Sequence, residues 1–240
     1  MLISIDPAAP QLYFLQPQGL TLKTEEKKTA FQFEARYHTA GNLNVNTRQV
    51  WIVIHGYGQL AKYFLKKFDT LAEQNIYVVA PEGLSRFYLS ELTELGRRDN
   101  KVGATWMTQE NRLMDIANYV HYLDSVYQNE LKQYPKIPVT LLGFSQGCAT
   151  ACRWAVQGIV KFERLILWAG LFPPDMDFAK GHDLLSASKT YMVIGDEDPF
   201  LTPERLQEFD QLAAQLGIRP EKITFHGKHE INEAILQKFV

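Results

Sequence analysis

The sequence predicts an α/β protein with a mostly parallel central sheet, helices on both of its faces, and antiparallel strands toward the N-terminus. Three observations carry that expectation. Short apolar runs at 50–54, 76–80, 139–142, 165–168 and 190–194 have the length and composition of strands buried on both faces. Segments with apolar residues at helical spacing separate them, so strand and helix alternate along the chain. The run at 139–142 opens directly into Gly143-Phe144-Ser145-Gln146-Gly147 and then a small-residue helix, which is a tight strand-to-helix turn.

At 240 residues and 46% hydrophobic, the chain suffices for one α/β domain over 1–240. Lys plus Arg number 25 against 27 Asp plus Glu, a near balance that argues against nucleic acid as a partner and for a small-molecule substrate. No apolar stretch approaches a bilayer span, so stable membrane insertion is not expected. Met1 to Pro7 lacks a basic segment and breaks its apolar run at Asp6, unlike a secretory signal. Cys148 and Cys152, one helical turn apart, read as packing groups, and a cytoplasmic, reducing location is the expectation.

Residues 11 to 38 read as antiparallel edge strands: Leu12 to Leu15 is short and apolar, and Thr29 to Tyr37 alternates, with Phe31, Phe33, Ala35 and Tyr37 on one face. A polar turn over 41–48 feeds Val50 to Ile54, the first core parallel strand, which ends in His55-Gly56-Tyr57-Gly58. Ala61, Phe64, Leu65, Phe68, Leu71 and Ala72 mark an amphipathic helix, and Ile76 to Ala80 the next strand. This strand-helix-strand unit crosses over right-handedly and gathers the loops after the strand ends along one edge, where ligands bind.

Residues 82–107 lose periodicity and read as a pocket-forming loop with Phe87 and Trp106 as candidate wall residues and with Arg86, Arg97 and Arg98 of unassigned role. Thr108 is the expected cap of a long helix running to Pro135. After the Ser145 helix come a strand at Leu165 to Trp168 and a second apolar loop, within 170–188, in which Phe172 is a candidate pocket residue. A strand at Thr190 to Ile194 ends in Gly195-Asp196-Glu197-Asp198, and Thr202 with Pro203 starts a helix that Gly217 closes. Lys222 to Phe225, the loop His226-Gly227-Lys228-His229 and a terminal helix over Ile231 to Phe239 complete the chain.

A serine hydroxyl is a poor nucleophile at neutral pH; it needs a base to take its proton and an acid residue to orient that base. Ser145, Asp198 and His229 each follow a core strand, in the order Ser, Asp, His that the α/β-hydrolase arrangement uses. Asp198 is preferred to Asp196, which directly follows the strand-ending Gly195, and His229 to His226, which directly follows its strand. His55 is expected to position its loop rather than move a proton. His226, His229 and Glu230 lack the further ligands a metal would need, so no metal is expected.

Taken together, His55-Gly56-Tyr57-Gly58, Gly143-Phe144-Ser145-Gln146-Gly147, Gly195-Asp196-Glu197-Asp198 and Gly227-Lys228-His229 resemble the motifs of α/β-hydrolases of the carboxylesterase, phospholipase and acyl-protein thioesterase group over residues 50 to 240. The resemblance implies an α/β-hydrolase fold and a serine hydrolase acting on carboxylic esters or thioesters through an acyl-enzyme, with no cofactor. It also implies an oxyanion hole made by the backbone N–H groups of Tyr57 and Gln146. Two departures stand out. Ile194 replaces a frequent His before the Gly-x-x-Asp glycine, and Met107-Thr108 follow Trp106 where an Asp is frequent, which bears on substrate preference. The first fifty residues exceed what the smallest members need, and an interface, as in a homodimer, is one expected use. A non-catalytic scaffold of this fold holding a small apolar ligand is the alternative.

Overall fold

In the computed structural model, which describes residues 24–90 and 100–240, the apolar runs become the centre of one sheet. The chain divides into residues 1–34 and Ala35–Val240, so the α/β domain expected over 1–240 is carried by the second unit. Residues 24–34 have no regular secondary structure, and the Phe31 and Phe33 rings meet edge to face at 6.3 Å. The strand expected over Thr29 to Tyr37 therefore starts only at Tyr37. Its alternation signals a buried face only where a core receives it, whereas Phe31 and Phe33 are 78% and 55% exposed. The strand expected at Leu12 to Leu15 lies outside the described residues.

The strands are β1 (Tyr37–Ala40), β2 (Gln49–Ile54), β3 (Ile76–Pro81), β6 (Val139–Phe144), β7 (Arg164–Trp168), β8 (Lys189–Gly195) and β9 (Glu221–Phe225), in spatial order β1-β3-β2-β6-β7-β8-β9. Only β1 runs antiparallel, as an edge strand against β3. The other pairs are parallel, so Ile54, Phe144, Trp168, Gly195 and Phe225 all end at one edge of the sheet. That common edge is what collects the chemistry-bearing loops.

Side chains alternate between two cores. Val50, Ile52 and Ile54 face one cluster with α3 (Arg112–Leu131), α4 (Gln146–Gln157) and α6 (Pro203–Gln215), while Trp51 and Val53 face the other with α1 (Ala61–Leu65), α2 (Asp69–Ala72) and α7 (Glu233–Leu236). Each fully buried Leu or Ile contributes roughly 1.5–3 kcal/mol, which is why these runs are continuous rather than alternating in hydropathy. Thr202 caps α6 through Arg205 N–H, with Pro203 in its first turn, as its sequence requires.

Three local expectations change. The helix expected from Ala61 to Ala72 is α1, a 3₁₀ turn at Lys66–Phe68, and α2. Helix α3 starts at Arg112, not after Thr108: Asn111 takes the left-handed conformation at φ 47°, and the Thr108 N–H instead donates to Asp115 Oδ2 at 3.2 Å. The segment 82–107 is not simply a loop, since β4 (Ser85–Tyr88) pairs antiparallel with β5 (Val102–Thr105); likewise α5 (Phe178–Ser186) fills much of 170–188. Among the described residues no helix is long and apolar enough to cross a membrane.

Candidate active site

Ser145 occupies the turn between β6 and α4 with φ 54° and ψ −118°, a backbone conformation that costs a non-glycine residue energy and persists only when the surroundings impose it. Here the surroundings do. Its N–H donates to Trp168 O at 2.9 Å, and its carbonyl accepts from Cys148 N–H at 3.0 Å. The two motif glycines admit no side chain: a Cβ on Gly143 would lie 2.6 Å from Cys148 Cα, and one on Gly147 would strike the Ile54 carbonyl oxygen. The sharp turn therefore needs both glycines, and it puts Ser145 at the N-terminus of α4, where helix dipole and backbone N–H groups favour developing negative charge.

The loops after β8 and β9 are fastened to each other before they reach Ser145. Asp196 N–H donates to Phe225 O and Glu197 N–H to Gly227 O, each at 2.9 Å. These bonds bring Asp198 and His229 together: His229 Nδ1 lies 2.7 Å from Asp198 Oδ2, while Asp198 Oδ1 accepts from Phe200 N–H at 2.9 Å. A carboxylate can only accept, so Nδ1 carries the proton and Nε2 is left as the basic nitrogen. The His229 ring packs against Phe144 and Phe200, each with its ring centre 4.8 Å away. Phe144 directly precedes Ser145, so the imidazole packs against the residue next to Ser145.

The rival residues pair with each other. His226 Nδ1 lies 3.3 Å from Asp196 Oδ1 on the surface, where the side chains are 82% and 46% exposed. The Gly227 N–H bond, foremost, holds the Asp196 carboxyl below the usual carboxylate range, with burial opposing and His226 assisting. The Asp198 side chain, by contrast, has no exposed surface. Burial and bond length thus distinguish the two pairs: 2.7 Å and a buried carboxylate for His229 with Asp198, 3.3 Å and an exposed one for His226 with Asp196.

Across the strand edge, a Cβ on Gly56 would lie 3.1 Å from Ser145 Cβ, so the loop of Tyr57 sits directly against Ser145. Gly58 N–H donates to Ala104 O at 2.9 Å, Ala104 N–H to Gln59 O at 3.1 Å, and Gly56 N–H to Gln59 Oε1 at 2.8 Å. His55 braces this loop from below. Its Nε2 accepts from Gly83 N–H at 2.9 Å, which makes Nδ1 the donor to Gly56 O at 2.7 Å. Burial lowers its pKa, against smaller raising effects of the Gly56 bond and of Glu82, so this ring is neutral and structural.

Sequence reasoning missed two supports. The Gln146 side chain donates to Met107 O at 3.0 Å and accepts from Trp106 N–H at 3.2 Å, tying α4 to the strand that holds the Tyr57 loop. Glu82, 2% exposed, accepts from Arg36 Nε at 2.7 Å and from Ala61 N–H at 3.2 Å. The motif position of Gln146 was a signal for its side chain; Glu82, in an aperiodic stretch, had none.

The expected pocket residues scatter. Phe87 is half-buried, its ring 5.1 Å from that of Tyr57. Trp106 is 2% exposed and donates through Nε1 to His55 O at 2.9 Å, and Phe172, 1% exposed, stacks on Phe209 at 5.0 Å. Neither can wall an open pocket, because core packing against α6 and His55 has absorbed both rings. Arg86 faces Glu82, with Nη1 3.9 Å from Oε1, while Arg97 and Arg98 lie outside the described residues. A groove of about 1100 Å³ does open beside His229, between Phe144, Tyr63, Phe64, Leu89 and Val102.

Residues 42–240 match the family model described as phospholipase/carboxylesterase. No curated protein matches the chain. Among solved structures, acyl-protein thioesterase 2 of Zea mays is 16% identical with a TM-score of 0.64, over 86% of this chain and 96% of that one. The Bacillus cereus carboxylesterase is 12% identical with a TM-score of 0.61, over 85% and 91%. An uncharacterized protein of Bacillus cereus ATCC 10987 is 17% identical with a TM-score of 0.59 over 90% of this chain, which spans only 62% of that protein. At these identities the solved structures speak to the fold.

Proposed function

Because the chain belongs to the phospholipase/carboxylesterase family of α/β-hydrolases, we propose that it cleaves carboxylic esters or thioesters through an acyl intermediate on Ser145. The Ser145 oxygen attacks the acyl carbon as His229 Nε2 takes its proton, and the resulting oxyanion is met by the backbone N–H groups of Tyr57 and Gln146. Collapse expels the alcohol or thiol, which leaves with the proton from His229. Water then attacks the acyl-serine with His229 again as base, releasing the carboxylic acid and restoring the serine hydroxyl. Asp198 holds the imidazole in the tautomer both steps need.

One observation supports this reading above the others: a His229–Asp198 hydrogen bond of 2.7 Å, sealed from solvent on the carboxylate side and packed against the residue before Ser145. A mere ligand-binding scaffold has no use for an oriented imidazole there. Pre-steady-state hydrolysis of p-nitrophenyl butyrate tests it. An initial burst of one equivalent of p-nitrophenol followed by slower turnover is expected, provided deacylation is the slower step, and slowing deacylation with the pivalate ester enforces that condition. Folded protein that releases nothing above the buffer rate from either ester contradicts the proposal.

A further inference from the structure

The groove beside His229 is lined mostly by apolar side chains, and its charged residues are few: Lys67 on the 3₁₀ turn after α1, Lys101 just before β5, and Glu230. Among the described residues neither lysine is in an ion pair, although Lys27, Lys28 and Lys222 elsewhere on the surface are. The Glu230 carboxylate leans back over its own loop, with Oε1 3.1 Å from where a Cβ on Gly227 would stand. Among the described residues, two ammonium groups outside any ion pair thus border a mainly apolar groove that His229 also lines.

Which part of a substrate enters it follows from proton bookkeeping. The imidazolium must give its proton to the departing atom, so that atom lies beside His229 Nε2 and the rest of the leaving group continues along the wall that His229 forms. We propose that this groove holds the leaving group and that Lys67 and Lys101 select alcohols or thiols carrying an anionic substituent, such as a sulfonate, phosphate or carboxylate, beyond an apolar spacer. The inference rests on the hydrolase reading. Arg86, turned toward Glu82, is not the selecting cation.

Three butyryl thioesters differing only in leaving-group charge test the proposal: those of 2-mercaptoethanesulfonate, 2-mercaptoethanol and thiocholine. Intrinsic thiol reactivity differs among them but cancels when wild type and variant are compared on each substrate. Lys67→Gln and Lys101→Gln should each lower kcat/KM for the sulfonate by about two- to fivefold relative to the neutral thioester, the range for exposed ion pairs, and raise it for thiocholine. The wild-type preference should shrink in 0.5 M salt, since roughly 10 Å of screening length at 0.1 M falls to a few ångströms. Turnover whose charge order is the same in wild type and in the double variant overturns this inference alone. No turnover of any thioester, or of the matching oxygen esters, overturns the hydrolase reading and this inference with it.

Discussion

Replacing Asp198 by Asn changes almost no volume, yet it should nearly abolish turnover. The Asp198 carboxylate accepts two hydrogen bonds, from His229 Nδ1 at 2.7 Å and from Phe200 N–H at 2.9 Å. An amide has one acceptor oxygen. If that oxygen keeps the Phe200 bond, the amide NH₂ faces Nδ1, which must then be the unprotonated nitrogen. The ring's proton moves to Nε2, and the imidazole can no longer accept from Ser145. Loss of the correct tautomer costs about 10⁴-fold in kcat in Ser-His-Asp enzymes, or about 5.5 kcal/mol of transition-state stabilisation. The same change at Asp196, which is 46% exposed and bonded to a surface histidine, should alter kcat by less than about threefold. The assay is steady-state hydrolysis of one activated ester by both variants, with thermal melting to confirm that each is folded. Equal loss in the two variants removes the assignment of Asp198 as the orienting acid, and greater loss at Asp196 transfers that role to the surface pair.

Other consequences follow from burial. Phe172→Ala should cost about 3–5 kcal/mol of stability in urea unfolding, because the ring is enclosed and stacked on Phe209, while the ester-chain-length profile of the surviving folded enzyme stays as in wild type; a small cost with an altered profile would restore Phe172 to the pocket. The His55 pKa is lowered from 6.5 in the folded protein, so the unfolded chain binds the extra proton first; stability is full above about pH 6.5 and declines as pH falls below it toward the folded pKa. Denaturant titrations at pH 7.5 and 5.5 should show that decline in wild type and less of it in His55→Asn, and equal declines would place the titration elsewhere. Cys148 and Cys152 are both buried and free, and burial pushes both thiols upward, so native protein should resist iodoacetamide at neutral pH over hours in which urea-unfolded protein takes up both labels.

The parallel strands were legible because both sheet faces are covered, and a strand buried on both faces reads as an unbroken apolar run, as Val50 to Ile54 does. The candidate site could be assembled from the sequence because each of its parts sits at a strand end: Gly143 and Gly147 around Ser145, and one acidic and one histidine residue in successive loops. What misled was context. The alternation of Phe31 and Phe33 looks like a strand although both rings are exposed, and Phe172 and Trp106 look like pocket walls because a bulky apolar residue in a loop has the same signature whether it points into a cavity or back into the core. Long-range polar supports were invisible for a different reason. The Gln146 contact with Met107 spans 39 residues and the Glu82 contact with Arg36 spans 46, and neither separation has a periodicity that a single sequence can display.

In the proposed mechanism Ser145 is a nucleophile activated by His229. Intact-mass measurement after incubation with a fluorophosphonate tests it most directly, because the reagent captures an activated serine without depending on acyl chain or leaving group. One adduct per chain is expected, mapped to the peptide containing Ser145, absent from Ser145→Ala, and slowed by orders of magnitude in His229→Ala. Folded protein that remains unmodified, or that carries its adduct on another residue, would contradict it.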